Sequence, residues 1–245
     1  MTSSSPQVLS IKRRLLAAVA TLAIVGGVSA AATGAASAAT PECTAAATVS
    51  GTVCISVFSS ELGTYEQPSF VEAVLGGGGA NVGQPVGLKP ASRLDPSQDI
   101  LPDAPVPDAK VSDFYAAGMV SAEANSHYGS LPAVQQRYAP FGIPTELCVG
   151  LASVAQNEGL TLQPCSVPGT TVWVVHEGLA TPAGYFPIIN AATTDFRRPF
   201  AMHLPRNEVA SGRPLQMQAR RLQFLTGEKT LRARQLWGAV FGVLN

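Results

Sequence analysis

The sequence predicts an all-β domain that follows an export signal, and three observations carry that reading. Short runs rich in Val, Ile, Leu, Thr and aromatic residues recur along the chain, separated by turns containing Gly, Pro, Asn and Ser. None of the three repeated copies carries a convincing amphipathic helix. Three segments of the chain also align with one another, as expected of a body built by internal repetition.

The first residues set the compartment. Lys12, Arg13 and Arg14 precede an apolar run from Leu15 to Val28, and Ala36-Ser37-Ala38 offers small residues where a signal peptidase cuts. Residues 1–38 are therefore expected to be a secretory signal peptide, cleaved after Ala38 or Ala39. The run is short of the roughly 20 apolar residues that a bilayer span needs, and no later segment is long and apolar enough. A secreted, extracellular product is expected, with residues 39–245 forming a single domain large enough to bury a core.

All four cysteines follow the signal. In an oxidising compartment they are expected to pair, most economically as Cys43 with Cys54 and Cys148 with Cys165. Their spacings are not those of a zinc site and the three histidines are scattered, so neither a metal nor any other cofactor is expected.

The charge is uneven. From Ala39 to Asp195 there are fourteen acidic and four basic residues. From Phe196 to Asn245 there are two acidic and nine basic ones: Arg197, Arg198, Arg206, Arg213, Arg220, Arg221, Lys229, Arg232 and Arg234. The asymmetry reads either as a surface for an anionic polymer or as a basic lobe answering acidic neighbours within the domain. The second reading is favoured.

In chain order, Thr52–Phe58 alternates as a half-buried strand. Phe70–Leu75 and Pro85–Leu88 are strands around a Gly76–Gly79 connection. No helix and no placed lysine follow the glycines, which excludes a phosphate loop. Leu94–Asp108, rich in Pro and Asp, reads as a surface loop. Its aspartates, Asp95, Asp99, Asp103 and Asp108, lack calcium-loop spacing. Leu147–Leu151, Leu160–Gln163 and Thr171–Val175 are strands, with a turn at Asn157–Gly159. Phe186–Ile189, Phe200–Leu204, Pro214–Gln218 and Gln235–Phe241 complete the set.

The aligned segments are PVGLKPA (85–91), GLTLQPC (159–165) and PLQMQAR (214–220). Each follows an apolar strand: FVEAVL, LCVGLA or FPIINA. Each precedes an aromatic-centred one: DFYAAGMV, TVWVV or QLWGAVF. A strand with LC, a turn, an alternating strand ending in Cys and then a Trp strand resembles the ricin-type β-trefoil repeat. The family's Gln-x-Trp mark stands at Gln235-Leu236-Trp237. Thr171-Val172-Trp173 and Asp113-Phe114-Tyr115 are its weaker counterparts. The resemblance implies a β-trefoil-like fold of three imperfect repeats, with lobes roughly at 52–140, 141–183 and 184–245. It also implies that Trp173, Gln235 and Trp237 are structural, and that a sugar site is possible in each lobe. The family's Asp just after the first cysteine is missing, since Val149 and Gly150 follow Cys148.

No catalytic motif is found. His176-Glu177 lacks the second histidine of a zinc protease helix, and no Gly-x-Ser-x-Gly elbow is present. The most functional-looking stretch is Asn190–Arg198. There Asn190, Asp195, Phe196 and Arg197 offer the amide, carboxylate, ring face and cation from which sugar sites are built. The expectation is a secreted, monomeric, non-catalytic lectin-like protein. Its partner is expected to be carbohydrate or an anionic cell-surface polymer, with no specific nucleic acid. A secreted inhibitor using loops such as Leu94–Asp108, or a hydrolase with no recognisable motif, stays open.

Overall fold

The structure, a computed structural model, describes residues 54–77, 79–205, 215–225 and 230–241. The expected signal segment, Cys43, Arg206, Arg213 and Lys229 lie outside the described residues. The described chain is mostly β, with two short α-helices.

Its strands are β1 (Ile55–Ser59), β2 (Phe70–Val74), β3 (Val86–Pro90), β4 (Ile100–Asp103), β5 (Ala133–Tyr138), β6 (Leu147–Gly150) and β7 (Glu158–Gly159). Then follow β8 (Thr161–Pro164), β9 (Trp173–Val175), β10 (Ile188–Asn190), β11 (Phe200–His203), β12 (Leu215–Gln216), β13 (Gln218–Arg221) and β14 (Trp237–Phe241). Helices α1 (Val111–Ala116) and α2 (Ala122–Tyr128) stand between β4 and β5.

Every strand pairing is antiparallel. Three hairpins form, β2 with β3, β6 with β8 and β11 with β13. Between them, β4 pairs with β5, β9 with β10 and β1 with β14. The last pairing sets Ile55 opposite Phe241 and Ser59 opposite Trp237, nearly closing the sheet. Strand β5 also pairs with β9, and an isolated bridge joins Phe186 to Trp237.

Central strands are apolar on both faces because each face meets a different core. Trp173, Ile188 and Met202 enter one cluster with Val57, Val74, Leu88, Ile100, Val149, Leu162 and Trp237. Their neighbours Val172, Val174, Ile189 and Ala201 enter a second, with Phe114 and Tyr128 from the helices and Leu222 and Leu236. Successive side chains on a strand point to opposite faces, so each residue is committed to one core or the other.

Two tryptophans are tied in the same way. Both are fully buried. The Trp173 indole N–H donates to the Val149 carbonyl at 2.8 Å, and that of Trp237 to the Met202 carbonyl at 3.0 Å. Val149 lies on β6 and Met202 on β11, the first strands of their hairpins.

A glutamine two residues ahead of Trp237 holds the preceding hairpin. Gln235 Oε1 accepts the Gln223 N–H at 2.8 Å, and its Nε2 donates to the Arg221 carbonyl at 3.1 Å. Gln98, two residues ahead of Ile100, does the same on β3. Its Oε1 accepts the Ser92 N–H at 2.9 Å, and its Nε2 donates to the Pro90 carbonyl at 2.7 Å. Near β8 the work is divided. Gln135 Nε2 donates to the Cys165 carbonyl at 2.6 Å and to Thr171 Oγ1 at 2.8 Å, and the Thr171 hydroxyl donates to the Val167 carbonyl at 2.9 Å.

The structure corrects the sequence reading in three places. Asp113-Phe114-Tyr115 is not an aromatic strand but part of α1. Val111 and Phe114, three apart, are buried, and Asp113 Oδ2 accepts the Lys110 N–H at the helix start at 2.8 Å. Leu94–Asp108 is not all loop, since it contains the 3-10 turn Pro96–Gln98 and strand β4 with buried Ile100. The apolar strand directly ahead of segment 214–220 is Phe200–His203 rather than FPIINA; it pairs with Gln218–Arg221, while Leu215–Gln216 pairs with β3.

Cys148 and Cys165 form a disulfide that clamps β6 to the end of β8. Cys54 is also disulfide-bonded.

Candidate functional site

A cleft lies between the α1–α2 pair and the loop joining β10 to β11. It has a volume of about 510 Å³ and is lined in part by Met119, Ser121, Glu123, Gly169, Thr193 and Phe196. That volume falls in the range of small-molecule sites.

Each wall is fixed locally. Ser121 is the N-cap of α2, its Oγ accepting the Ala124 N–H at 3.1 Å. Ala124 and Tyr128, four residues apart, anchor that helix in the core. Gly169 forms the floor with φ +72°, and a Cβ there would meet the Ala192 Cβ at 2.9 Å. Only glycine combines that conformation with that approach. Its N–H donates to the Met119 carbonyl at 2.7 Å, joining the floor to the helical wall.

The opposite wall is the Asn190–Arg198 stretch. Asn190 is enclosed. Its Nδ2 donates to the Thr170 carbonyl at 2.9 Å and its Oδ1 accepts the Ala192 N–H at 3.1 Å. Thr193 Oγ1 accepts the Phe200 N–H at 3.3 Å. Asp195 Oδ1 accepts the N–H groups of Arg197 and Arg198, and its Oδ2 meets Arg221 Nη1 at 2.7 Å. The Arg221 guanidinium in turn sits over the Phe200 ring, 4.8 Å from its centre.

Phe196 is held by rings. His127 stacks on it with centroids 4.0 Å apart and planes 17° apart, and Tyr128 meets it edge-on at 5.6 Å. Burial pushes the Tyr128 phenol up to about 12, with the Asp195 charge adding to the effect. His176 contacts Tyr128 edge-on, and burial lowers the His176 pKa.

Of the residues singled out from sequence, Phe196 lines the cleft. Asp195 shapes the loop, Asn190 works inside the fold and Arg197 is exposed outside the lining. Met119, Ser121, Glu123 and Gly169 were not foreseen. Met119, Ser121 and Glu123 reach Phe196 through the placement of α1–α2, and Gly169 through the connection between β8 and β9.

Other candidates disperse. Asp95 pairs with Lys89 and Asp103 with Arg137, while Asp99 Oδ2 accepts the Phe141 N–H at 3.0 Å. Among the described residues no group of three or more His, Cys, Asp or Glu side chains is placed to hold a metal ion. No helix among them is long and apolar enough to cross a membrane. Arg221 answers Asp195, and Arg234 answers Glu61 at 3.4 Å.

No protein-family model matches the sequence, and no curated protein matches it. Among solved structures the chain is similar to a mosquitocidal holotoxin at 10% identity and TM-score 0.43, covering 78% of this chain and 17% of the toxin. It is similar to the designed threefold-symmetric protein ThreeFoil at 10% identity and TM-score 0.46, covering 76% of this chain and 96% of that one. An SDF2-like protein from Arabidopsis thaliana is similar at 9% identity and TM-score 0.39, covering 79% and 95% of the two chains.

Proposed function

We propose that this chain is an exported, non-catalytic binding protein on a β-trefoil-like scaffold, with carbohydrate as its ligand. The scaffold reading draws support from the recurrence of one bonding pattern. Gln98 and Gln235 each hold the hairpin before them, and Trp173 and Trp237 each donate to the first strand of theirs. On this reading the units are β1–β4, β5–β9 and β10–β14, with α1–α2 inserted after the first. Ile100 then stands where the other two units have tryptophan.

The observation that carries the binding reading is the cleft beside Phe196. Its ring is pinned by His127 and Tyr128, and hydroxyls and one carboxylate surround it. A rigid ring face beside a few polar groups is the composition of a sugar site. Binding of the exported protein to a glycan array, lost in Phe196→Ala at unchanged melting temperature, tests it. A blank array for the unaltered protein would sink it. N-terminal sequencing of the exported product checks cleavage near Ala38.

A protein-interaction reading is favoured by three exposed apolar side chains, Leu94 at 91%, Phe141 at 57% and Ile143 at 68% exposure. It requires that Phe141→Asp and Ile143→Asp abolish association with a partner and leave the glycan array unchanged.

A further inference from the structure

We infer that the cleft takes an amine-bearing saccharide, an amino sugar with its nitrogen unacylated, rather than a sulfated or uronate one. The inference rests on the carbohydrate reading above and adds the charge of the ligand.

The reason is the supply of donors and acceptors. An anionic group is held by cationic side chains and by free backbone N–H groups. Among the described residues no lysine or arginine lines the cleft. The lining N–H groups of Met119, Gly169, Ala191, Ala192 and Thr193 already donate within the chain, to Phe114 O, Met119 O, Val172 O, Asn190 Oδ1 and Asn190 O. An incoming sulfate or carboxylate finds no cationic side chain there and would lie beside the Glu123 carboxylate.

Acceptors are what remain. Glu123 is the one charged side chain of the lining, and it is exposed at the rim. Ser121 Oγ and Thr193 Oγ1 each accept one backbone N–H and keep a lone pair and a proton. Thr194 adds an exposed hydroxyl. A carboxylate, hydroxyls and an aromatic face together recognise a ligand rich in donors with an apolar ring face and a positive charge. A glucosamine-type residue meets all three conditions. Its ammonium pairs with Glu123, its hydroxyls reach Ser121 and Thr194, and its C–H face lies on Phe196.

The test is calorimetric titration of the mature protein with a glucosamine tetramer, its fully N-acetylated counterpart and low-molecular-weight heparin. Expected is saturable binding of the amine tetramer, weakened about tenfold by Glu123→Gln, as loss of a charge-assisted bond would do. Glu123→Lys should abolish it, and Phe196→Ala should weaken both tetramers. Glu123 is exposed, so its variants keep the fold, and an unchanged melting temperature verifies this. Two results overturn the inference alone: amine binding indifferent to Glu123→Lys, or heparin binding that Phe196→Ala destroys. Glycan binding that ignores both positions also overturns it while sparing the carbohydrate reading. No binding of any glycan, on the array or in solution, removes both.

Discussion

Glu72 stands directly opposite Leu88 across the β2–β3 ladder, 1% exposed, and among the described residues neither of its carboxylate oxygens has a hydrogen-bonding partner. Desolvation raises its pKa from 4.5 to about 8. The unfolded chain therefore releases this proton near 4.5 and the folded chain near 8. Between the two the folded state holds the extra proton, so stability is full below 4.5 and falls as pH rises toward 8. Melting temperatures should decline over that window, and Glu72→Gln should flatten the decline. Glu72→Leu should add on the order of 3 kcal/mol near pH 7, from the 1.4 kcal/mol that each pKa unit represents. A Glu72→Gln variant with the parent slope would show that the acid is not responsible. Asp95 acts the other way and elsewhere. Burial pushes its pKa up, but the hydrogen bond and charge of Lys89 and the hydrogen bonds from Ser97 outweigh this and lower it, so its contribution is lost only on strong acidification.

Removing Gln235 leaves the Gln223 N–H and the Arg221 carbonyl without their partner, and removing Gln98 does the same to Ser92 and Pro90. Each alanine variant should lose about 1–3 kcal/mol, measured by urea unfolding. If the two positions are equivalent, the losses agree to within about 1 kcal/mol. A neutral Gln98→Ala beside a damaging Gln235→Ala would break the equivalence on which the scaffold reading leans.

The Cys148–Cys165 bond closes a loop with a sequence separation of 17. Replacing both cysteines by serine should lower stability by about 3 kcal/mol in the chain-entropy account. The loss should appear as a lower denaturation midpoint at constant slope.

Arg221 and Asp195 are 37% and 43% exposed, so their pair contributes no more than about 1 kcal/mol. Arg221→Glu should lower stability by that small amount and, on the carbohydrate proposal, leave glycan binding intact. The basic C-terminal region should elute from heparin below physiological salt, because Arg221 and Arg234 already answer carboxylates within the chain. Retention well above physiological salt would show a dedicated polyanion surface.

Most of the strand positions were legible from sequence, because runs such as Thr171–Val175 and Phe200–Leu204 carry β-formers between clear turns. The Cys148–Cys165 clamp was legible from the cysteine positions in an expected oxidising compartment, and the structural role of Trp173 and Trp237 from the repeat resemblance. What failed was short or composite. Strand β4 is four residues long, contains Pro102 and exposes part of its length, so no alternation betrays it. Helix α1 spans six residues, too few for a helical period to stand out against its aromatic content. The cleft was half legible. Phe196 was singled out, but Asn190 proved internal, and Glu123 and Gly169 joined the site only through contacts remote in sequence.

The pairing of β1 with β14 has a consequence for the route by which this chain reaches its fold. Neither strand finds its ladder partner until residue 241 is free to turn back, so the sheet cannot close progressively from one end. Entropy must be surrendered over nearly the whole described length before the closing contacts repay it, which places this topology among the slow folders. A chain stopped before Gln235 should therefore show no cooperative melt, rather than a slightly weakened one. Conversely, the two ends of the described chain lie side by side. A circular permutant joined there and opened between β4 and α1 should regain the native melt, with its folding order rewritten.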